Sequence, residues 1–309
     1  MSFLTICLNP TIQKTLRFNS LTPGDVNRAS SHRVDVSGKG INVTRVLTQL
    51  GKKAVHLTHL GGVMRPLFLS LCEQDGLCVE WVESGSQIRF CYTVINDDNS
   101  DVTELIEESE PVAAETEKLL LEKFDTLLSS HSAHQIPDCI IISGTKAAGF
   151  SDDVIPYMVR KTKEKGLRII LDIKGNDLIE CLKYEPDVIK PNLEEFLQTF
   201  KLDPDNQRVE ADLNGLITDI TQKYKCRVIL TNGGGKLIAA DPQKIYEIDV
   251  PSTKAVNTTG CGDAFTAGLA AALDDCWAAS QPVNFTAAIN EGMRCGALNA
   301  ALIRPGVIK

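Results

Sequence analysis

The sequence predicts an α/β fold in which a mainly parallel sheet carries helices on both faces and a small β lid covers one end. Three observations lead there. From Pro111 onward, short apolar runs alternate with longer stretches of helical spacing, as when buried parallel strands alternate with crossover helices. Before residue 108 several strands alternate apolar and polar residues, the pattern of a sheet with one wet face. Near the C-terminus, residues 256–273 pass from a glycine turn into a helix of small residues. The 309 residues fit a single domain, 1–309, with the lid drawn from about 11–36 and 88–108. No repeat, low-complexity run or flexible linker divides it.

Composition narrows the function. A net charge of −8 argues against a general nucleic-acid binder, although a few placed Lys and Arg suffice for a small anion. The ten cysteines are scattered without a C-x-x-C pair, the first residues lack a signal-peptide pattern, and no segment is long and apolar enough for a membrane span. Reduced thiols in a cytoplasmic protein are expected, with no membrane partner.

In chain order, residues 3–8 read as a buried strand ended by Asn9-Pro10, and 11–19 as a more polar strand. Glycines flank Lys39, and a helix runs from Asn42 to Leu50. Lys39 near a helix N-terminus is unfavourable for the helix but adds a cation to an anion site. The spacing is not that of a G-x-x-x-x-G-K-[ST] loop. Residues 54–60 are expected as a strand and 63–74 as a helix. Residues 79–83 and 88–96 read as half-exposed strands of a small sheet, joined by 102–107 after a polar turn. Helices follow at 113–129 and 152–165, with strands at 138–142 and 168–172. A short strand at 187–190 precedes a helix opening at Asn192, and 226–231 is another buried strand. Residues 236–240 and 245–249 form a hairpin edge, and 285–303 a helix.

The stretch 256–273 carries the chemistry. Gly260 and Gly262 permit a tight turn and close approach to a ligand, and the N–H groups of the following helix favour an anion. Asp263 beside that turn suits a base that takes a proton from a hydroxyl while the amides neutralise the group under attack. Taken alone, the stretch reads equally well as a capped turn. Cys261, at the helix N-terminus, is expected to be a reactive thiolate, the helix dipole outweighing the nearby Asp263.

The Gly260-Cys261-Gly262-Asp263 turn resembles the G-x-G-D signature of the ribokinase-like sugar kinases, in the phosphofructokinase-B branch, with Cys261 where Ala or Ser is usual. Ser37-Gly38-Lys39-Gly40-Ile41-Asn42-Val43-Thr44-Arg45 is similar to the G-G-K-G-x-N-V-A-R of the phosphosugar members, and Gly24 to Arg28 to their G-x-V-N-R. Lys190-Pro191-Asn192 with Glu195 matches K-P-N-x-x-E. Departures are Gln13 for the Asp of N-P-A-I-D, Ile88-Arg89-Phe90-Cys91 for T-R-T-N, and residues 145–148 in the loop that opens with Ser143-Gly144. An N-E-P-G motif is missing near Ile106 to Pro111, and Asn232 to Lys236 stands where the family has S-L-G-x-x-G.

The resemblance implies a three-layer α/β/α fold and ATP-dependent phosphorylation of a ketohexose phosphate, fructose 1-phosphate first and tagatose 6-phosphate second. It makes Asp263 the base, assisted by Gly260, Cys261 and Gly262. Substrate contacts fall to Gln13, Arg28, Gly38, Lys39, Asn42, Arg89 and Ser143. ATP contacts fall to Lys190, Asn192, Thr231, Gly233, Gly235 and Asn290. Asn192 and Glu195 are expected to hold the water shell of Mg²⁺. Lid strands in this family often pair between subunits, so a homodimer through the lid is expected. A phosphosugar- or nucleotide-binding protein without turnover is the alternative that Gln13 and the altered 145–148 loop raise.

Overall fold

A computed structural model describes residues 2–129, 134–206, 209–279 and 283–309. The apolar strand β1 (Ser2–Ile6) is buried along its whole length. The chain then leaves the main sheet for β2 (Thr11–Phe18) and β3 (Ser31–Ser37), and returns through α1 (Lys39–Gln49) to β4 (Lys53–Gly61). Helix α2 (Arg65–Gln74) leads to β5 (Cys78–Ser84), after which β6 (Arg89–Asn96) and β7 (Asp101–Ile106) rejoin the first excursion. Regular alternation follows: α3 (Ala114–Leu127), β8 (Cys139–Ser143), α4 (Val154–Glu164), β9 (Arg168–Asp172), α5 (Gly175–Leu182), β10 (Val188–Ile189), α6 (Leu193–Phe200), α7 (Val209–Tyr224) and β11 (Arg227–Leu230). The hairpin β12 (Leu237–Ala240) and β13 (Ile245–Ile248) precedes α8 (Cys261–Ala278) and α9 (Phe285–Ala300).

The main sheet has nine strands in the order β13-β12-β11-β10-β9-β8-β1-β4-β5, parallel except for the hairpin edge. Alternate residues of its strands feed two cores. Leu4, Ile140, Ile142, Ile169, Leu171 and Val228 face α3 to α7. Phe3, Ile141, Ile170, Val188 and Ile229 face α1, α8 and α9. A third cluster, with Ile12, Val36, Ile41, Leu60, Phe68 and Ile88, fastens a four-stranded mixed sheet, β3-β2-β6-β7, to α1 and α2.

Residues 79–83, expected in the small sheet, lie instead in β5, the edge of the main sheet, parallel to β4. Helix α2 makes β4-α2-β5 a full crossover unit, and the half-exposed pattern of β5 reflects an edge position. Helices α5 and α7 were absent from the sequence reading. The second announces itself by Leu213, Ile217 and Ile220, apolar residues at helical spacing that are buried here.

Helices α8 and α9 pack backbone to backbone. A methyl group on Gly268 would lie 2.7 Å from both Cys295 Sγ and the Glu291 carbonyl oxygen, and one on Gly292 would lie 3.0 Å from the Phe265 ring. Gly268→Ala should therefore force the helices apart and cost about 1–3 kcal/mol by overpacking. Urea unfolding measures this; an unchanged midpoint would mean that the contact yields freely.

Candidate active site

The strand order reverses at β1, which has β8 on one side and β4 on the other, and a crevice forms beyond the carboxyl ends of the strands at such a point. A cavity of about 460 Å³ lies there. Asn9 after β1, Gly144 after β8, Asp172 and Lys174 at the end of β9, Lys190 and Asn192 after β10 and Thr231 after β11 all line it. The small sheet supplies the facing wall through Thr11, Gln13, Arg89, Cys91, Tyr92 and Glu104.

Two helices begin in this cavity without a side-chain cap. Gly38 starts α1 at φ +111° and Gly260 starts α8 at φ +82°, both in the left-handed region that glycine tolerates. Gly260 is also enclosed, because a Cβ there would lie 3.0 Å from Asn299 Oδ1, Gly306 N and Pro305 Cβ. Cys261 N donates to the Thr258 carbonyl at 3.2 Å, and the first turns of both helices border one cavity, a favourable place for phosphate oxygens.

Asp263, in the first turn of α8, is buried. Its Oδ2 accepts a hydrogen bond of 2.8 Å from Asn42 Nδ2. Burial pushes the carboxyl up to about 7, against the pull of Lys39, the Asn42 bond and Lys190, with Asp172 adding to the rise. An acid poised there can hold or release a proton near neutrality.

The sequence reading missed Asp172. Its carboxylate lies 3.1 Å from Lys190 Nζ and 3.6 Å from Lys39 Nζ, and accepts a 2.9 Å bond from Thr266 Oγ1. Burial works to raise this carboxyl, but Lys190 and Lys39 outweigh it and the group lies below its ordinary range. Asp172 in turn raises the Lys39 ammonium above its ordinary range, with help from Glu195. No motif pointed to Asp172, which reads as the polar end of an apolar strand.

Asn192 and Glu195 form a capping box on α6: Asn192 Oδ1 accepts from Glu195 N at 2.7 Å, and Glu195 Oε2 from Asn192 N at 3.0 Å. Glu195 Oε1 faces the cleft, 3.6 Å from Lys39 Nζ and 3.8 Å from Lys174 Nζ. Among the described residues no three His, Cys, Asp or Glu side chains gather to hold a metal by themselves. The donors fit an ion that keeps its waters and takes other oxygens from phosphate, as Mg²⁺ does.

In the facing wall, Gln13 is buried and donates 2.7 Å to Thr93 Oγ1. Arg89 donates through Nη1 to the Glu107 carbonyl at 3.1 Å, while its Nε is buried without a hydrogen-bond partner among the described residues. Thr259 Oγ1 donates 2.7 Å to Glu104, joining the wall to the glycine turn.

Several expected residues lie elsewhere. Arg28 is exposed on the connection between β2 and β3 and does not line the cavity. Gly233 and Gly235 lie in the exposed turn beyond Thr231, and Asn290 is exposed on α9; none lines the cavity. Ser143 is buried beneath it, its hydroxyl without a partner among the described residues. The expected Cys261 thiolate is overturned: burial and the neighbouring Asp263 push the thiol up to about 12. Loss of water around the sulfur, with the Asp263 carboxyl nearby, outweighs the pull of the helix dipole.

Fold and cleft together define an α/β scaffold with two uncapped helix N-termini and a buried carboxyl group in one crevice. The chain belongs to the pfkB family of carbohydrate kinases, whose family model matches residues 4–302. A tagatose-6-phosphate kinase of Staphylococcus epidermidis is 28% identical over 275 residues, 87% of this chain and 84% of that protein. The fold is the ribokinase-like, three-layer α/β fold. It superposes with a TM-score of 0.83 on Escherichia coli phosphofructokinase-2 in complex with substrates and products, at 18% identity over 97% of this chain and 94% of that one. The score is 0.83 for a Thermotoga maritima protein described as a possible 1-phosphofructokinase, at 20% identity over 98% and 93%. It is 0.68 for Thermotoga maritima ribokinase, at 17% identity over 99% and 95%. Among the described residues no helix is long and apolar enough to cross a membrane.

The raised carboxyl has a consequence for stability. Folding lifts Asp263 from the ordinary value of 3.8 to about 7, so the folded state binds this proton more tightly than the unfolded chain. Its stabilising contribution is full below about pH 4 and lost as pH rises through about 7. Asp263→Asn removes a buried charge and should stabilise the protein at pH 8 by up to about 4 kcal/mol, about three pH units at roughly 1.4 kcal/mol each, with little gain at pH 4. Thermal unfolding of both proteins at the two pH values checks this; an equal effect at both would refute the linkage.

Proposed function

We propose that this chain catalyses ATP-dependent transfer of a phosphoryl group to a hydroxyl of a ketohexose phosphate, fructose 1-phosphate first and tagatose 6-phosphate second. The observation that carries this reading is one cavity in which a buried carboxyl, two uncapped helix N-termini, Lys39 and Arg89 all meet. Asp263 takes the proton of the acceptor hydroxyl, and the first amides of α8 face the phosphoryl group in transit. Lys39 and Arg89 hold the phosphate already on the substrate. The neutral amide of Gln13 meets sugar hydroxyls. An unphosphorylated sugar offers Arg89 no charge to meet in the cavity that it lines. Bound Mg²⁺ supplies charge neutralisation at the nucleotide phosphates, and Glu195 Oε1 with the Asn192 amide would hold its water shell. Similarity to the tagatose-6-phosphate kinase is the ground for the second substrate.

ADP release measured over phosphorylated and free sugars tests the reading. One phosphosugar should stand out, with kcat/KM rising toward a plateau above a midpoint near pH 7 as Asp263 ionises. Asp263→Asn should lose about 10²–10⁴-fold in rate with ATP affinity held. Arg89→Ala should raise the KM of the phosphosugar about 10- to 100-fold and leave the KM of ATP in place. Equal losses for free and phosphorylated sugars would remove Arg89 from that role. Ligand-dependent thermal shifts without ADP release would make the protein a binder.

A homodimer through the lid is the proposed assembly. Strand β7 is a free edge of the small sheet, and its Leu105 and Ile106 are 54% and 57% exposed, as expected of an edge that pairs with another chain. Sedimentation should show a dimer that Leu105→Lys dissociates. A monomeric parent protein would refute this assembly.

A further inference from the structure

Asn42 is the sole hydrogen-bond donor to the Asp263 carboxylate among the described side chains, so the direction in which its amide points matters. The two ends of an amide have nearly the same shape, and surroundings decide between them. Ser37 Oγ lies 3.4 Å from Asn42 Oδ1 and 3.3 Å from Nδ2, and a hydroxyl accepts either end. Arg45, one helical turn on, donates from Nη1 to Asn42 Oδ1 at 2.9 Å. A guanidinium has donors only, so the carbonyl end must face it and the NH₂ end must face Asp263.

Arg45 itself is 3% exposed and held on every side. Nη2 donates to the Val36 carbonyl at 2.7 Å, Nη1 also to the Pro305 carbonyl at 3.2 Å, and Nε to Asp75 Oδ2 at 3.0 Å. Arg304 donates to the same Asp75 oxygen and pairs with Asp35 at 2.8 Å. Gly306 is packed against the pair so closely that a Cβ would lie 2.9 Å from Asn42 Cα and 3.0 Å from Arg45 Nη1.

We propose that Arg45 is a positioning residue: it locks the Asn42 amide so that Asp263 always receives an N–H and never meets a carbonyl oxygen. Loss of the lock lets the amide turn. A carbonyl against the carboxylate favours the protonated acid, so the base is weakened in its working form. The other groups facing Asp263 are Lys39 from α1, Asp172 from β9, Lys190 after β10 and the thiols of Cys261 and Cys7, none of which Arg45 touches. The importance of this lock for turnover rests on Asp263 being the base; the lock itself does not.

The test is the titration of the Asp263 carboxyl in the ligand-free protein by ¹³C NMR, the signal being assigned by its loss in Asp263→Asn. It needs no substrate, so failure here and failure of the kinase reading are separate results. Arg45→Lys keeps the charge and loses the fork, and should raise the midpoint by about one pH unit, a tenfold tighter proton. Arg304→Gln disturbs the same buried network without touching Asn42, and should lower the melting temperature while the midpoint stays. In an Asn42→Ala background, Arg45→Lys should add no further shift. A midpoint in Arg45→Lys equal to that in Arg304→Gln, or shifts that add in the double variant, would make Arg45 merely structural. Should Arg45→Lys not fold, Asp75→Asn, which loosens Arg45 at Nε, reads the same quantity: an upward shift supports the lock and an unmoved midpoint overturns it.

Discussion

A single buried carboxylate between two lysines organises the cleft. Lys190 and Asp172 are each 2% exposed or less. An ammonium or carboxylate so far from water costs several kcal/mol unless paired, and loss of one partner strands the other. The pair ties the end of β9 to the end of β10, and the Thr266 hydroxyl brings in the second turn of α8. The helix that carries Asp263 is thereby seated over the strand ends by an electrostatic contact as well as by packing. The same charges act on Asp263. Lys39 and Lys190 oppose its desolvation and Asp172 adds to it, and its carboxyl lies near neutrality.

The last residues of the chain close the back of the site. Asn257, fully buried, donates to the Ile303 carbonyl and accepts from Thr259 N, which fixes the approach to the glycine turn. Gly260 meets Pro305 and Gly306, and Gly306 meets Asn42 and Arg45. The turn and the start of α1 are therefore held against one another by backbone that lies outside both. Side chains larger than hydrogen at these glycines would separate the two helix N-termini whose amides face the cavity.

The lid is held unevenly. Its apolar underside is anchored on α1 and α2, while across the cavity a hydrogen bond from Thr259 to exposed Glu104 joins it to the glycine turn. Such a bond contributes about 1 kcal/mol, little enough for a ligand to replace. Gln13 and Arg89 come from neighbouring strands of this sheet, in register two residues apart, and so face the same space.

Much of this was legible in the sequence because it is local. Apolar runs and helical spacing specify strands and helices through burial, and Gly260-Cys261-Gly262-Asp263 and Gly38-Lys39-Gly40 declare turns that glycine favours. Those patterns led to the α/β class, to Lys39 and to Asp263, and the family resemblance added Asn42 and Glu195; one cavity brings the four together. Edge or lid for 79–83 was not decided locally, since a half-exposed strand looks the same in either sheet. Nor were Asp172, whose importance comes from lysines 133 and 18 residues away in the chain, Arg45, whose partners lie on β3, after α2 and in the C-terminal loop, or the state of Cys261. Sequence by itself determined which groups can turn, donate or carry charge. Tertiary structure alone decided which of them lose water together, because desolvation and Coulomb energies depend on distance in space and not along the chain.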